Sequence, residues 1–231
     1  MIRRAALYYI LWTVLSTSAA QAANCALALV FALDVSASVN SREYDIQKGG
    51  LADALRDAEV REAILVEPGS VWFLAYEWSA ASQQAMIADW AQMRGPADID
   101  RYAAQLDAHQ RVYDKSATAL GQGLSFGLSQ FRSLPALCAR HVIDVSGDGV
   151  NNDGVAPDVL SDAGRLAGVT VNGLVIAGAT PNPVPYYQDK VIWGSDSFMM
   201  IARNGFEDYP DLIKGKLLRE LRPPQFIGAA Q

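Results

Sequence analysis

Short apolar runs alternate with amphipathic helical stripes along nearly the whole chain, and that alternation most constrains the fold. Ala26 to Leu33 is continuously apolar, as a strand buried on both faces requires. Asn40, with Glu43 three residues on, forms a capping-box pattern that opens a helix running to about Arg56. Tyr44, Leu51 and Leu55 supply its inward stripe. Val71 to Trp78 reads as the next strand, and Gln84 to Trp90 as an antiparallel edge strand. Asp98 to His109 is expected to be helical, with Tyr102 and Leu106 on its apolar side. From Ala119 to Leu134 a further helix is marked by Leu120, Leu124, Leu128 and Phe131. Strands are expected over His141 to Val145 and Val169 to Ile176, with helices over Ala156 to Ala167 and Phe206 to Leu221. Pro181 to Pro185, followed by Tyr186 and Tyr187, is expected to be a Pro-rich loop. No linker, low-complexity tract or repeat interrupts this order, so residues 23–231 read as one domain. The expected α/β fold is an open, mostly parallel sheet with one antiparallel edge strand and helices on both faces.

Ligands in such sheets bind beyond the carboxyl ends of the strands, where strand order reverses. The sequence places polar groups there. After the first strand comes Asp34-Val35-Ser36-Ala37-Ser38, one carboxylate and two hydroxyls at alternate positions. A loop that curls lets these three hard oxygens converge, a donor set suited to Mg²⁺ or a similar cation. By itself the pattern is equally an ordinary capped turn. After the fourth strand comes Ser146-Gly147-Asp148-Gly149, whose glycines permit a tight turn around a carboxylate. Thr118, just ahead of the Leu120 helix, offers a further hydroxyl.

These three segments together resemble the metal-ion-dependent adhesion site of a von Willebrand factor A-type domain. The chain is also similar to a family of exported bacterial A-type domains of no assigned function that share Val-Ser-Gly-Asp-Gly-x-Asn-Asn, here Val145 to Asn152. The resemblance implies a Rossmann-like fold and a site that binds a protein partner, whose acidic group completes the coordination of Mg²⁺ (Ca²⁺ or Mn²⁺ as alternatives). It makes Ser36 and Ser38 direct ligands, Thr118 a ligand that switches between direct and water-mediated contact, and Asp34 and Asp148 the sources of negative charge. Neutral hydroxyls around the cation leave it underneutralised, so it attracts a carboxylate from a partner. A module of this kind has no turnover of its own, and its terminal helix moves when Thr118 changes contact. The chain departs from the pattern at Ala37, where Gly is usual, and at Ser146-Gly147, where many relatives carry Thr directly before the Asp.

The chain's ends and composition set the compartment. Arg3 and Arg4, the apolar core Ala5 to Leu15 and the small-x-small sequence Ala20-Gln21-Ala22 form a secretory leader over residues 1–22. No later run is long enough to cross a bilayer, so the processed protein is expected to be exported, periplasmic or extracellular. Losing the leader removes two arginines and no acids, moving the formal net charge from −6 to −8. No basic cluster stands out in the linear sequence, which argues against nucleic acid as a partner. The two cysteines suggest one disulfide in an oxidising compartment. Cys25 precedes Asp34 by nine residues and Cys138 precedes Asp148 by ten, so both start their strands at nearly the same level. Neighbouring strands about 4.8 Å apart meet the Cα separation that a disulfide needs, with two buried thiols as the alternative.

Three competing readings need weighing. Gly123-Leu124-Ser125-Phe126-Gly127 matches a serine-hydrolase elbow, but Ser125 falls within a helical stripe rather than after a strand. Of the two candidate histidines, His109 precedes the serine, against the expected chain order, and His141 opens an expected buried strand. A metal-assisted phosphohydrolase using Asp34 and Asp148 would need a base and a cationic phosphate clamp, for which Lys115 is the only nearby candidate. A structural interaction protein with a degenerate site would dock instead through Tyr186, Tyr187, Trp193 and Phe198.

Overall fold

Among the described residues six strands lie in the order β3-β2-β1-β4-β5-β6. They are β1 Cys25–Asp34, β2 Ser70–Trp78, β3 Gln84–Met93, β4 Cys138–Gly147, β5 Thr170–Ile176 and β6 Met199–Ala202. Only the β2–β3 pair is antiparallel. This computed structural model describes residues 25–194 and 196–222; the expected leader, 1–22, lies outside them. The chain builds outward from β1 to β3, then returns to the other side of β1 with β4. Strand order therefore reverses between β1 and β4, and the crevice at their carboxyl ends is where a ligand site belongs.

Alternate side chains of β1 serve two cores, as the pleat dictates. Leu27, Leu29, Phe31 and Leu33 face one helical layer, while Val30 and Ala32 face the other. The first layer contains α1 Ser41–Arg56, α2 Ala58–Val66, α3 Pro96–Ala108 and α7 Tyr209–Leu221. The second contains α4 Leu120–Gln130, α5 Pro157–Asp162 and α6 Pro183–Lys190. Helix α1 starts at the expected capping box: Asn40 Oδ1 accepts from Glu43 N at 3.1 Å, and Glu43 Oε2 accepts from Asn40 N at 2.8 Å.

Several elements differ from expectation. Residues 183–190 form α6 rather than a loop, with Asn182 as N-cap and Pro183 in the first turn. Proline needs no amide partner there, and its fixed φ favours helix entry. Helix α5 stops at Asp162, because the chain turns through Gly164 and Gly168 at φ +67° and +76°. Helix α4 tightens into a 3₁₀ turn over Phe131–Ser133, and a 3₁₀ turn over Gly205–Asp208 precedes α7. Neither β6 nor α2 was expected; α2 is capped by Asp57, whose side chain accepts from Glu59 N.

The Gly-x-Ser-x-Gly segment lies inside α4, and its glycines serve packing. A Cβ on Gly123 would come within 2.9 Å of the Trp78 ring, and one on Gly127 within 2.8 Å of Tyr76 Oη. Both glycines bring the helix close to β2. Ser125 Oγ is bonded by Arg165 Nη2 at 3.0 Å, with no histidine partner among the described residues.

Cys25 and Cys138 lie directly opposite in the β1–β4 ladder and form a disulfide with Cα atoms 4.2 Å apart. On the α7 side of the sheet, Lys216 is fully buried between two carboxylates. Its Nζ lies 2.7 Å from Asp144 Oδ1 and 2.6 Å from Glu220 Oε1.

Candidate metal site

Three loops converge at the carboxyl edge beside the switch point. The first begins with Asp34, the last residue of β1, which has no exposed surface. Its Oδ1 accepts from Ser36 N at 2.7 Å, which curls the chain so that Ser36 and Ser38 share one side. Their hydroxyl oxygens are 3.2 Å apart, and Ser38 Oγ donates to Asp148 Oδ1 at 2.6 Å. Asp148 comes from the loop after β4. Gln47 of α1 joins the two strand ends: its Nε2 donates to the Asp34 carbonyl at 3.0 Å and its Oε1 accepts from Ser146 Oγ at 2.7 Å.

The third loop carries Thr118. Its backbone N donates to Asn152 Oδ1 at 2.8 Å, and Asn152 N donates back to the Thr118 carbonyl at 2.9 Å. A Cβ on Gly149 would lie 3.4 Å from Thr118 Oγ1, so this hydroxyl stands against the Asp148 turn. Ala37 N donates to the Ser116 carbonyl at 2.8 Å, tying the first loop to the third. Asp34, Ser36, Ser38, Thr118 and Asp148 thus meet at one edge. Asn151 and Asp153 brace it: their carboxamide and carboxylate oxygens accept from Gly121 N at 3.1 Å and Ala81 N at 2.8 Å.

Two functional residues had no signal in the linear sequence. Arg111 threads its guanidinium under the first loop, donating to the carbonyls of Val35 at 2.7 Å, Val39 at 2.8 Å and Tyr113 at 2.6 Å. Glu77, fully buried on β2, accepts from Tyr44 Oη at 2.9 Å and from the amides of Val112 and Tyr113 at 2.7 and 3.3 Å. Together they fasten residues 109–119, which carry no regular secondary structure. Lys115 within this loop is exposed and adopts φ 54°.

Gly147 is required for space rather than for an unusual φ. A Cβ there would lie 2.5 Å from Tyr187 Oη and 2.7 Å from Asp34 Oδ2. Gly147→Ala is therefore expected to destabilise the protein by about 1–3 kcal/mol through overpacking. Chemical denaturation would show the loss, and an accompanying fall in cation affinity would place the disturbance at Asp34. The aromatic segment does not form a continuous exposed patch: Tyr187 and Phe198 are buried, Tyr186 is half-buried and Trp193 is 40% exposed.

Charge is unbalanced at this edge. Burial, and next the nearby Asp148 carboxylate, push Asp34 up to about 7. Burial likewise raises Asp148. Asp34 Oδ2 is buried without a hydrogen-bond partner, and Arg111 donates to carbonyls rather than to either acid. A carboxylate oxygen taken out of water and left without a donor is costly. Among the described residues no group of three or more His, Cys, Asp or Glu could hold a metal, so the donor set here is two carboxylates plus hydroxyls. Those oxygens fit a small hard cation.

A family model described as "Protein of unknown function (DUF1194)" matches residues 24–225. The chain belongs to that family. No curated protein sequence matches it. Among solved structures, the family member resembles a von Willebrand factor type A protein from Catenulispora acidiphila, at TM-score 0.60 and 12% identity over 85% of this chain and 43% of that one. It also resembles proximal thread matrix protein 1 from the mussel byssus, in a structure with a zinc-occupied MIDAS motif, at TM-score 0.56 and 17% identity over 86% and 46%. A third similar structure is the pilus adhesin SpaC from Lactobacillus rhamnosus GG, at TM-score 0.60 and 11% identity over 85% and 31%. The chain spans less than half the length of each. Its fold is that of a von Willebrand factor A-type domain.

Proposed function

We propose that this protein is an exported module that binds a protein partner through a divalent cation held by Ser36, Ser38 and Thr118, with Asp34 and Asp148 supplying charge. The observation that carries this reading is the fully buried Asp34 carboxylate, with Oδ2 unpartnered and Oδ1 holding the loop that brings Ser36 and Ser38 to Asp148. Mg²⁺ suits that donor set, and the bound cation would supply an electrophilic point for an acidic group of the partner. The adhesin and matrix proteins among the similar folds support an adhesive or assembly role. The disulfide supports an oxidising compartment. Hydrolysis of a phosphate ester is disfavoured because Arg111, the guanidinium at this edge, is engaged by backbone carbonyls rather than free to clamp a phosphate.

The test is a thermal melt in chelator and then in excess Mg²⁺, at pH 6 and pH 8, beside Asp34→Asn. Asp34's folded pKa lies above its unfolded value, so its protonated form stabilises the metal-free fold. That contribution is present in acid and is lost as pH rises through about 7. The cation competes with this proton, so its effect should be larger at pH 8. At 100 times the dissociation constant, Mg²⁺ should add about 2.7 kcal/mol, or roughly 5–10 °C for a domain of this size. Asp34→Asn should lose both the shift and its pH dependence. Equal responses in the two proteins, or none to Mg²⁺, Ca²⁺ or Mn²⁺, would remove the mechanism.

A further inference from the structure

At the opposite end of the sheet two hollows run together beneath the starting residues of β4 and β5. One, of about 600 Å³, lies against the end of α4; the other, of about 810 Å³, lies against the end of α7. His141, Gly168 and Val169 line both, so the two hollows, on opposite faces of the sheet, meet around its edge as one bent groove. His141 is seven residues before Asp148 along extended chain, so groove and cation site are separated by about 23 Å at 3.3 Å per residue.

Five arginines line this groove: Arg132 and Arg165 in the first hollow, and Arg140, Arg219 and Arg222 in the second. Among the described residues none of the five makes a carboxylate ion pair, whereas five of the seven arginines elsewhere, Arg42, Arg56, Arg61, Arg101 and Arg111, do. The residues outside the description contain no Asp or Glu, so no acidic side chain there supplies the missing partner. Of the two acids lining the groove, Glu220 is already engaged by Lys216, which leaves Asp196, with Glu67 near Arg140, against five guanidiniums. On a chain with 25 acids and 19 bases, this concentration of unpaired arginine is a local reversal of sign.

The arginines are held apart rather than aimed at one point. Arg140 donates to the carbonyls of Glu220 at 2.8 Å and Arg222 at 3.2 Å. Arg219 stacks 3.8 Å over the Phe198 ring, and Arg165 reaches Ser125. Apolar surface lies between them: Phe131, packed edge-on against His141 at 5.0 Å, and Trp193, 40% exposed. A small inorganic anion needs convergent donors. A uniformly charged anionic polymer gains nothing from the apolar patches. An acidic polypeptide satisfies both features, with carboxylates for the guanidinium forks and apolar side chains for the rings.

We propose that this groove is a second binding site, one that takes an extended acidic segment of a partner protein bearing interspersed aromatic residues. The site needs no cation and is independent of the metal-site reading. The protein would then hold two partners, or two parts of one, at opposite ends of its sheet.

The experiment is fluorescence anisotropy of a labelled eight-residue peptide alternating Glu and Tyr, titrated with the full chain in chelator at low salt. Binding is expected, with at least tenfold loss in Arg132→Glu/Arg165→Glu and in Arg219→Glu, and a smaller loss in Arg132→Gln/Arg165→Gln. Each variant should keep the wild-type melting profile, including any response to Mg²⁺, which separates groove loss from unfolding and from the cation site. A Lys-Tyr peptide of equal length should not bind. Absence of Glu-Tyr binding, equal binding by the variants, or stronger binding of a heparin fragment or tripolyphosphate than of the peptide would each overturn the proposal.

Discussion

Lys216→Met should lower stability by about 3–5 kcal/mol at pH 8.5 and by distinctly less at pH 5.5. The lysine has no exposed surface, and among the described residues its ammonium is the only cation ion-paired with the Asp144 and Glu220 carboxylates. Asn172 Nδ2 helps by donating to Glu220 Oε1 at 2.8 Å, but Asp144 Oδ2 and Glu220 Oε2 remain without donors. Removing one member of a buried ionic group leaves uncompensated charge, which costs far more than the pair contributes. Burial, then the neighbouring Glu220, push Asp144 up to about 7. Its protonated form therefore favours the fold in acid, and that contribution is lost as pH rises through about 7. Without the lysine, acid still neutralises the carboxylates, whereas alkali cannot. Urea denaturation at the two pH values would show the difference. A loss of equal size at both would mean that packing around Lys216, rather than its charge, is what matters. Replacing all three residues by apolar ones of similar volume should recover most of the stability.

The second large loss is expected from Cys25→Ser/Cys138→Ser. The bridge joins residues 113 apart in sequence. Closing a loop of about 100 residues restricts the unfolded chain by roughly 4.7 kcal/mol in the chain-entropy account, and removing native disulfides commonly costs about 2–5 kcal/mol. A fall in Tm of about 5–15 °C follows for a domain of this size. Because the effect acts on the unfolded chain, the paired strands should survive and any Mg²⁺ response of the folded variant should match wild type. Wild type melted in reductant should reproduce the variant. A change below about 1 kcal/mol would mean that the reduced chain is already restricted before it folds.

Features that depend on local pattern were readable along the chain. The capping box at Asn40, the doubly buried β1 and the clustering of Asp34, Ser36 and Ser38 follow from neighbours a few residues apart. The disulfide was readable because two strands measured from their terminal carboxylates begin at the same level. Arg111 and Glu77 were not, since the Val39 and Val35 carbonyls lie 72 and 76 residues from Arg111, the Tyr44, Val112 and Tyr113 partners of Glu77 lie 33 to 36 residues from it, and nothing in the local sequence marks either as structural. Gly147 looked like a turn glycine, yet what it accommodates is Tyr187 from a helix whose prolines suggested a loop. The arginine groove is invisible in one dimension for the same reason: its five members are spread from Arg132 to Arg222 and meet only when β4, β5 and α7 assemble.

The loop spanning residues 109–119 has the dihedrals of a connection but the fastening of a core element. Glu77 holds it from beneath and Arg111 ties it to the loop after β1. Its conformational entropy is surrendered once, during folding, at roughly 1–2 kcal/mol per residue for the backbone. Arrival of a cation or a partner at this edge therefore does not have to order the segment that carries Thr118. Binding strength there is set by contact chemistry, and encounters need not wait for a loop to find its shape.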